Sequence, residues 1–186
     1  MMMDQYMKLC IEDPHSMYPI LRTISKDCQT IVKIGGELEL LWAIFQGWSE
    51  SSLEKKQVIL IDPNPIAELG VKPFLEVGNI LGAELFYLPT HSLYPHIPKR
   101  DMLYINTLHT YDQLTQELTM HHANTNKYIL LDNTYKYALE GETTGDTQEK
   151  VEGIAKAVSE FVAKYPVWNY AKVSCQGKGY ILLEKI

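Results

Sequence analysis

The residues best equipped for chemistry stand at the ends of short apolar runs. Asn106 follows Asp101-Met102-Leu103-Tyr104-Ile105, and His109 comes three positions later, just before a helical pattern. An imidazole there could act as a base toward a bound acceptor that carries a proton. Asp132 and Asn133 close the run Lys127-Tyr128-Ile129-Leu130-Leu131, and with Asn106 they could line the substrate side of a pocket. Gly35-Gly36 ends the run Thr30-Ile31-Val32-Lys33-Ile34, where freedom to adopt positive φ lets the backbone turn closely beneath a ligand. Asp62 ends Lys56-Gln57-Val58-Ile59-Leu60-Ile61, and a carboxylate so placed can accept two hydrogen bonds from ribose hydroxyls. Thr90-His91-Ser92 follows a further short run. Each position also has a plain structural explanation, because Gly, Asp, Asn and Ser are common turn formers. Their recurrence at one strand end after another is what points to a pocket.

The same residues exclude several chemistries. Glu37-Leu38-Glu39 fills the positions after Gly36 where a GxGxxG fingerprint would continue. Two carboxylates beside a helix start suit the helix dipole but repel a pyrophosphate. With no GxxxxGK[ST] loop either, dinucleotides and nucleoside triphosphates are poor ligands. S-adenosylmethionine, which has no phosphate, escapes that objection. No GxSxG elbow is present, and none of the three cysteines has a histidine beside it. His91 and His96 lack a Cys or carboxylate at ligand spacing. His121-His122 stand side by side at a helix end, where exposure is the expectation. Asn106, Asp132 and Asn133 offer one carboxylate and two amides, a weak donor set, so no metal is expected.

Helices and strands must alternate to bring these ends together. Strands are expected at 30–34, 56–62, 84–88, 101–106 and 127–132, with two closing runs at 168–175 and 179–185 forming a hairpin. Helical spacing marks a stretch begun by Asp13-Pro14 and carrying Met17, Ile20, Leu21 and Ile24, then 38–48, 72–81, 110–121 and 148–164. Residues 134–147 are polar and contain Gly, a loop long enough to signify function. Strands apolar on both faces and separated by helices imply a parallel sheet covered on both sides. The expectation is a single Rossmann-like α/β domain over 1–186. It would be a three-layer sandwich with a mostly parallel seven-stranded sheet and a C-terminal antiparallel hairpin. Ligands of such sheets bind beyond the carboxyl ends of the strands, where strand order reverses.

Composition agrees with a soluble domain: 46% of the 186 residues are hydrophobic and 22% charged. The formal net charge of −6 argues against nucleic acid, whose binders need a basic face. No apolar run approaches the roughly 20 residues of a membrane span. The odd, widely spaced cysteines and the lack of a secretion signal at Met1-Met2-Met3 imply a reducing, cytoplasmic setting. Trp42, Trp48 and Trp168 could contribute to an apolar contact with another chain.

The stretch "DMLYINTLHTYDQLTQEL…KYILLDNT" over 101–134 resembles small class I S-adenosylmethionine-dependent methyltransferases, the group that includes cephalosporin-hydroxylase-like proteins. Upstream, "LRTISKDCQTIVKIG…LWAIFQG" is similar to that group's approach to the cofactor. Downstream, "EGIAKAVSEFVAKYPVW" looks like its final helix. The resemblance implies S-adenosylmethionine over the first, second and fourth strands. Gly35 and Gly36 would lie beneath it, Asp62 near its ribose and Ser92 on the adenine side, with Asn106 and His109 bordering methyl transfer. Asp132 joins them as a candidate on the acceptor side. The sequence departs from the group's pattern at Lys33, where the group has an acid, and at Asn106 and Asn133, where carboxylates are replaced by amides. Methyl transfer to a small acceptor is therefore the first expectation. The second is a catalytically inactive binding or assembly protein on the same fold.

Overall fold

The computed structural model describes residues 16–36, 38–94, 96–143 and 150–186, and of 65–69 the backbone alone. Seven strands form one sheet: β1 Thr30–Ile34, β2 Lys56–Ile61, β3 Ala83–Leu88, β4 Arg100–Ile105, β5 Thr125–Asp132, β6 Trp168–Ser174 and β7 Tyr180–Lys185. Their order is β3-β2-β1-β4-β5-β7-β6. The pairs from β3 through β5 are parallel, and β7 runs antiparallel to both β5 and β6. Strand order therefore reverses between β1 and β4, and the crevice expected of such sheets lies at their carboxyl ends.

Among the described residues five helices cover the two faces: α1 Tyr18–Ser25, α2 Leu41–Ser49, α3 Pro65–Ile80, α4 Tyr111–His121 and α5 Ile154–Lys164. Alternation along the strands sorts the core into two halves. Ile31, Val58, Leu60, Met102, Tyr104 and Leu130 pack with α1, α2 and α3. Val32, Ile34, Ile61, Leu103, Ile105 and Leu131 pack with α4 and α5. A sheet apolar on both faces needs both layers to keep water out, which is why no strand except β6 reads as half polar. Trp48 and Trp168 are fully buried in these halves, and Trp42 packs at 4.8 Å from the Phe74 ring. Trp48 and Trp168 therefore have no surface left for a contact with another chain, whereas Trp42 is only partly buried. Burial pushes the Cys28 thiol up to about 12, so it stays protonated and inert.

Two helices differ from expectation. The helix expected at 72–81 begins at Pro65, because a proline in the first turn loses no hydrogen bond, and it carries Pro73 inside. The last helix starts at Ile154 rather than near 148, a position outside the described residues together with Asp13-Pro14. Before it the chain is extended: Glu152 bridges Glu140, and Gly141 N donates to Val151 O at 2.8 Å. Gly153 marks the junction, since a Cβ there would stand 2.5 Å from the carbonyl oxygens of both Tyr137 and Ala138. Residues 133–143 and 150–153 thus fold back on themselves as an arch beyond β5. Among the described residues no helix is long and apolar enough to cross a membrane.

Candidate functional site

The carboxyl ends of β2, β1 and β4 are locked together before any side chain contributes. Asn106 N donates to Ile34 O at 2.9 Å, and Gly35 N donates to Ile61 O at 2.8 Å. Gly35 has φ +87°, and a Cβ on it would stand 1.8 Å from Asn106 O, so only glycine lets these strand ends close up. At Gly36 the same test meets nothing within 4 Å, and the turn is open on that side.

Three side chains from β4 and β5 meet there. Asn133, the one non-glycine residue with positive φ among those described (55°), points its amide at two acceptors. Its Nδ2 donates to Asn106 Oδ1 at 3.1 Å and lies 3.2 Å from His109 Nε2. His109 Nδ1 lies 2.9 Å from Glu142 Oε2, and the imidazole stacks on Tyr137 at 4.7 Å with 17° between planes. One proton assignment satisfies every group: Nδ1–H donates to the carboxylate, and Nε2 accepts from the amide. That tautomer keeps a lone pair on Nε2, as a base requires, with the Asn133 amide resting on it. Burial alone would push the Glu142 carboxyl up, but hydrogen bonds from the His109 ring and backbone N–H, with Lys136 nearby, hold it below the usual value. The arch is fastened in turn, because Glu142 N donates to His109 O at 3.0 Å.

Beneath the turn lies a row of buried polar groups on the other face of the sheet. Lys33, fully buried, donates from Nζ to Gly35 O at 2.6 Å and to Gly36 O. Its ammonium sits 5.0 Å from the centre of the Tyr104 ring. Tyr104 donates its hydroxyl to Asp132 Oδ2 at 3.0 Å, and Asp132 Oδ1 accepts from Asn133 N at 2.6 Å. Lys33 and Tyr104 are register partners across β1 and β4, as are Tyr104 and Leu130 across β4 and β5.

Asp62 and Ser92 are already engaged. Asp62 Oδ1 accepts from Asn64 N at 2.8 Å, an Asx turn, while Tyr87 OH donates to the carbonyls of Asp62 and Asn64. Ser92 belongs to a buried polar cluster under α4. Gln113 Nε2 donates to Ser92 Oγ at 2.8 Å and to Glu117 Oε1 at 2.7 Å, and Thr107 Oγ1 donates to Glu117 Oε2 at 2.9 Å. His121 joins this cluster through Nε2, 2.6 Å from Ser92 O, and is buried. Its expected exposure is wrong, because it shares the stripe of Leu114, Glu117 and Leu118 that α4 turns inward.

Of the residues expected from the sequence, the structure brings Asn106, His109 and Asn133 together, with Asp132 on the backbone of Asn133, and adds Glu142, Tyr137, Tyr104 and Glu117 beside them. Glu117 and His121 were legible as polar residues on an apolar helical stripe. Glu142 carries no local signal, since it meets His109 across 33 positions of chain. Among the described residues no group of three or more His, Cys, Asp and Glu side chains could hold a metal ion.

No protein-family model matches this chain, and no curated protein matches it. Solved structures do. An O-methyltransferase from Bacillus cereus in complex with SAH is 13% identical, with 99% of this chain and 90% of that one covered and a TM-score of 0.64. An SAH-bound methyltransferase from Podospora anserina is 14% identical over 91% of this chain and 78% of that one, with a TM-score of 0.60. A ribosomal protein L11 methylase from Lactobacillus delbrueckii is 10% identical over 91% and 78%, with a TM-score of 0.58. The fold is that of class I S-adenosylmethionine-dependent methyltransferases.

Proposed function

We propose that this chain binds S-adenosylmethionine beside the ends of β1 and β2 and transfers its methyl group to a hydroxyl-bearing small acceptor, with His109 as base. The observation that carries this reading is the chain Glu142–His109–Asn133–Asn106 at the reversal of strand order. There, a basic nitrogen is held in one tautomer beside an open glycine turn. Binding of SAH by two of the similar structures supports the choice of nucleoside. A nearer kinship with the cephalosporin-hydroxylase-like group rests on the stretch 101–134.

The residues present fit a nucleoside. The turn is open at Gly36, and half-buried Asp62 stands at the end of the neighbouring strand for a ribose. Seated over the Gly35-Gly36 turn, the sulfonium would supply an electrophilic methyl carbon for the acceptor oxygen, with the neutral thioether as leaving group. What the chain must do is align and deprotonate. Nε2 of His109 takes the acceptor proton, Glu142 steadies the imidazolium that forms, and Tyr137 fixes the ring plane. The Asn133 amide now rests on the Nε2 lone pair, the place the acceptor hydroxyl takes over.

A second reading, a binding protein without turnover, is favoured by the way Asn106, Asn133 and His109 satisfy one another. One experiment separates the two: titration calorimetry with S-adenosylmethionine and S-adenosylhomocysteine, followed by a search for methyl transfer to small phenols and alcohols. Heat with turnover is the expected outcome. Heat alone selects the second reading, and no heat at millimolar ligand rejects both.

A further inference from the structure

The hydrogen bonds from Glu142 to Asn106 can run in only one direction. The Glu142 carboxylate takes the Nδ1 proton of His109, so Nε2 accepts, and what meets it from Asn133 is the NH2 edge of the amide. That NH2 also donates to Asn106, which fixes the Asn106 oxygen toward Asn133 and leaves its own NH2 to other partners. A carboxylate at position 142 thus sets the orientation of an amide on another strand end. Among the described residues the Asn106 NH2 has no hydrogen-bond partner, and the residue is half-buried, within reach of a ligand.

Entry of an acceptor adds one more donor. Its hydroxyl displaces the Asn133 amide from Nε2, and Asn133 is buried, so the freed N–H needs a new oxygen or binding is weakened. A hydrogen bond onto the reacting oxygen would blunt it as a nucleophile. A second oxygen beside it meets the need without that loss. The two amides then offer the Asn106 NH2 and the freed N–H of Asn133, against the single oxygen of Asn133. Donors are in excess.

We propose that Asn106 and Asn133 select the acceptor, preferring a hydroxyl flanked on the neighbouring atom by an oxygen that only accepts, as in an enolised 1,2-diketone, to a vicinal diol. The inference rests on the reading of His109 as the base of a methyl-transfer site. The hydroxyl proton points to Nε2, and the carbonyl takes the amide N–H groups. A diol must also place its second proton, for which this edge has fewer partners. One such hydrogen bond, made or left unmade at a buried amide, changes affinity by about tenfold.

The test is calorimetry on the full chain at pH 7, with a chelator present so that no stray metal ion bridges the oxygens. The probes are 3-hydroxy-4-pyranone, catechol and 2-methylphenol, which set a carbonyl, a hydroxyl or a methyl group beside one hydroxyl. Each is titrated with and without saturating S-adenosylhomocysteine. The pyranone should bind about tenfold more tightly than 2-methylphenol, with catechol between them. Asn106→Leu should shrink that gap to about threefold. Asn106→Asp keeps the oxygen that Asn133 bonds and puts a second oxygen in place of the NH2, so catechol should overtake the pyranone. That variant decides the matter if Asn106→Leu does not fold. Three probes bound alike, or none bound, overturn the selection. Variants that weaken all three equally overturn it too, since that is the mark of an amide that only braces the turn. A chain that ignores S-adenosylhomocysteine yet ranks the probes as expected loses the methyl-transfer reading and keeps the amide seat.

Discussion

The loop between β4 and α4 is gripped by two glutamates of opposite electrical character. Thr107 donates to Glu117, while His109, two positions on, meets Glu142. Glu117 is fully buried on α4, and burial pushes its carboxyl up, only partly countered by hydrogen bonds from Ser92, Gln113 and Thr107. Glu142 is 38% exposed at its side chain, and its bonds to His109 pull its carboxyl down. One is surrounded by neutral donors and the other by a base. The difference separates an anchor from a working group: a carboxyl meant only to hold a loop can be dry, whereas one that steadies a charge must stay ionised.

The strongest way to sharpen this comparison is to remove the base. His109→Ala should lower methyl transfer by about a hundredfold or more at saturating ligand while the melting temperature stays close to that of the unaltered chain. A loss below about threefold would take the base away from His109. Removing the anchor should do the reverse. Glu117→Ala strips acceptors from Thr107 and Gln113 at a buried site, a loss of about 3 kcal/mol. In a chain of this size that lowers the melting temperature by roughly 6–12 °C, read by thermal denaturation.

The smallest effect concerns pH and has opposite signs at the two residues. The folded state raises the Glu117 value, so its contribution is complete below the ordinary 4.5 and is lost as pH rises through the raised value. The folded state lowers the Glu142 value, so its contribution is present above 4.5 and is lost as pH falls through the lowered one. Melting curves of Glu117→Gln and Glu142→Gln against the unaltered chain, taken from pH 7 to pH 4, should therefore diverge. Acid should favour the unaltered chain in the first pair and the variant in the second. At half-exposed Glu142 the change is a few tenths of a kcal/mol. Parallel trends would erase the contrast.

The fold was legible because its signals are local. Runs such as Ile31-Val32 and Val58-Ile59-Leu60-Ile61 are apolar on both faces, and a strand with no polar face needs cover on both sides. The site was legible by halves. Asn106, His109 and Asn133 sit at strand ends, where topology alone brings them together. Lys33 is legible only as a departure from the acid of the resembling group, and nothing nearby foretells that it reaches the carbonyls of its own turn. Glu142 was out of reach because its contact depends on how the arch folds, and that depends on Gly141 and Gly153 allowing backbones to touch. Nor does the sequence announce that Gln113, 21 positions away, holds the Ser92 hydroxyl, whereas the Asx turn at Asp62 is local and legible from Asp62-Pro63-Asn64.

The arch that delivers Glu142 has a second duty. The first amides of α5 would otherwise lack partners, and they are met by the arch's own carbonyls: Ile154 N donates to Tyr137 O at 3.0 Å and Ala155 N to Ala138 O at 3.1 Å. The platform under the imidazole and the seal on the last helix are thus one piece of backbone. Displacing Tyr137 would therefore loosen the first turn of α5 through the same peptide units.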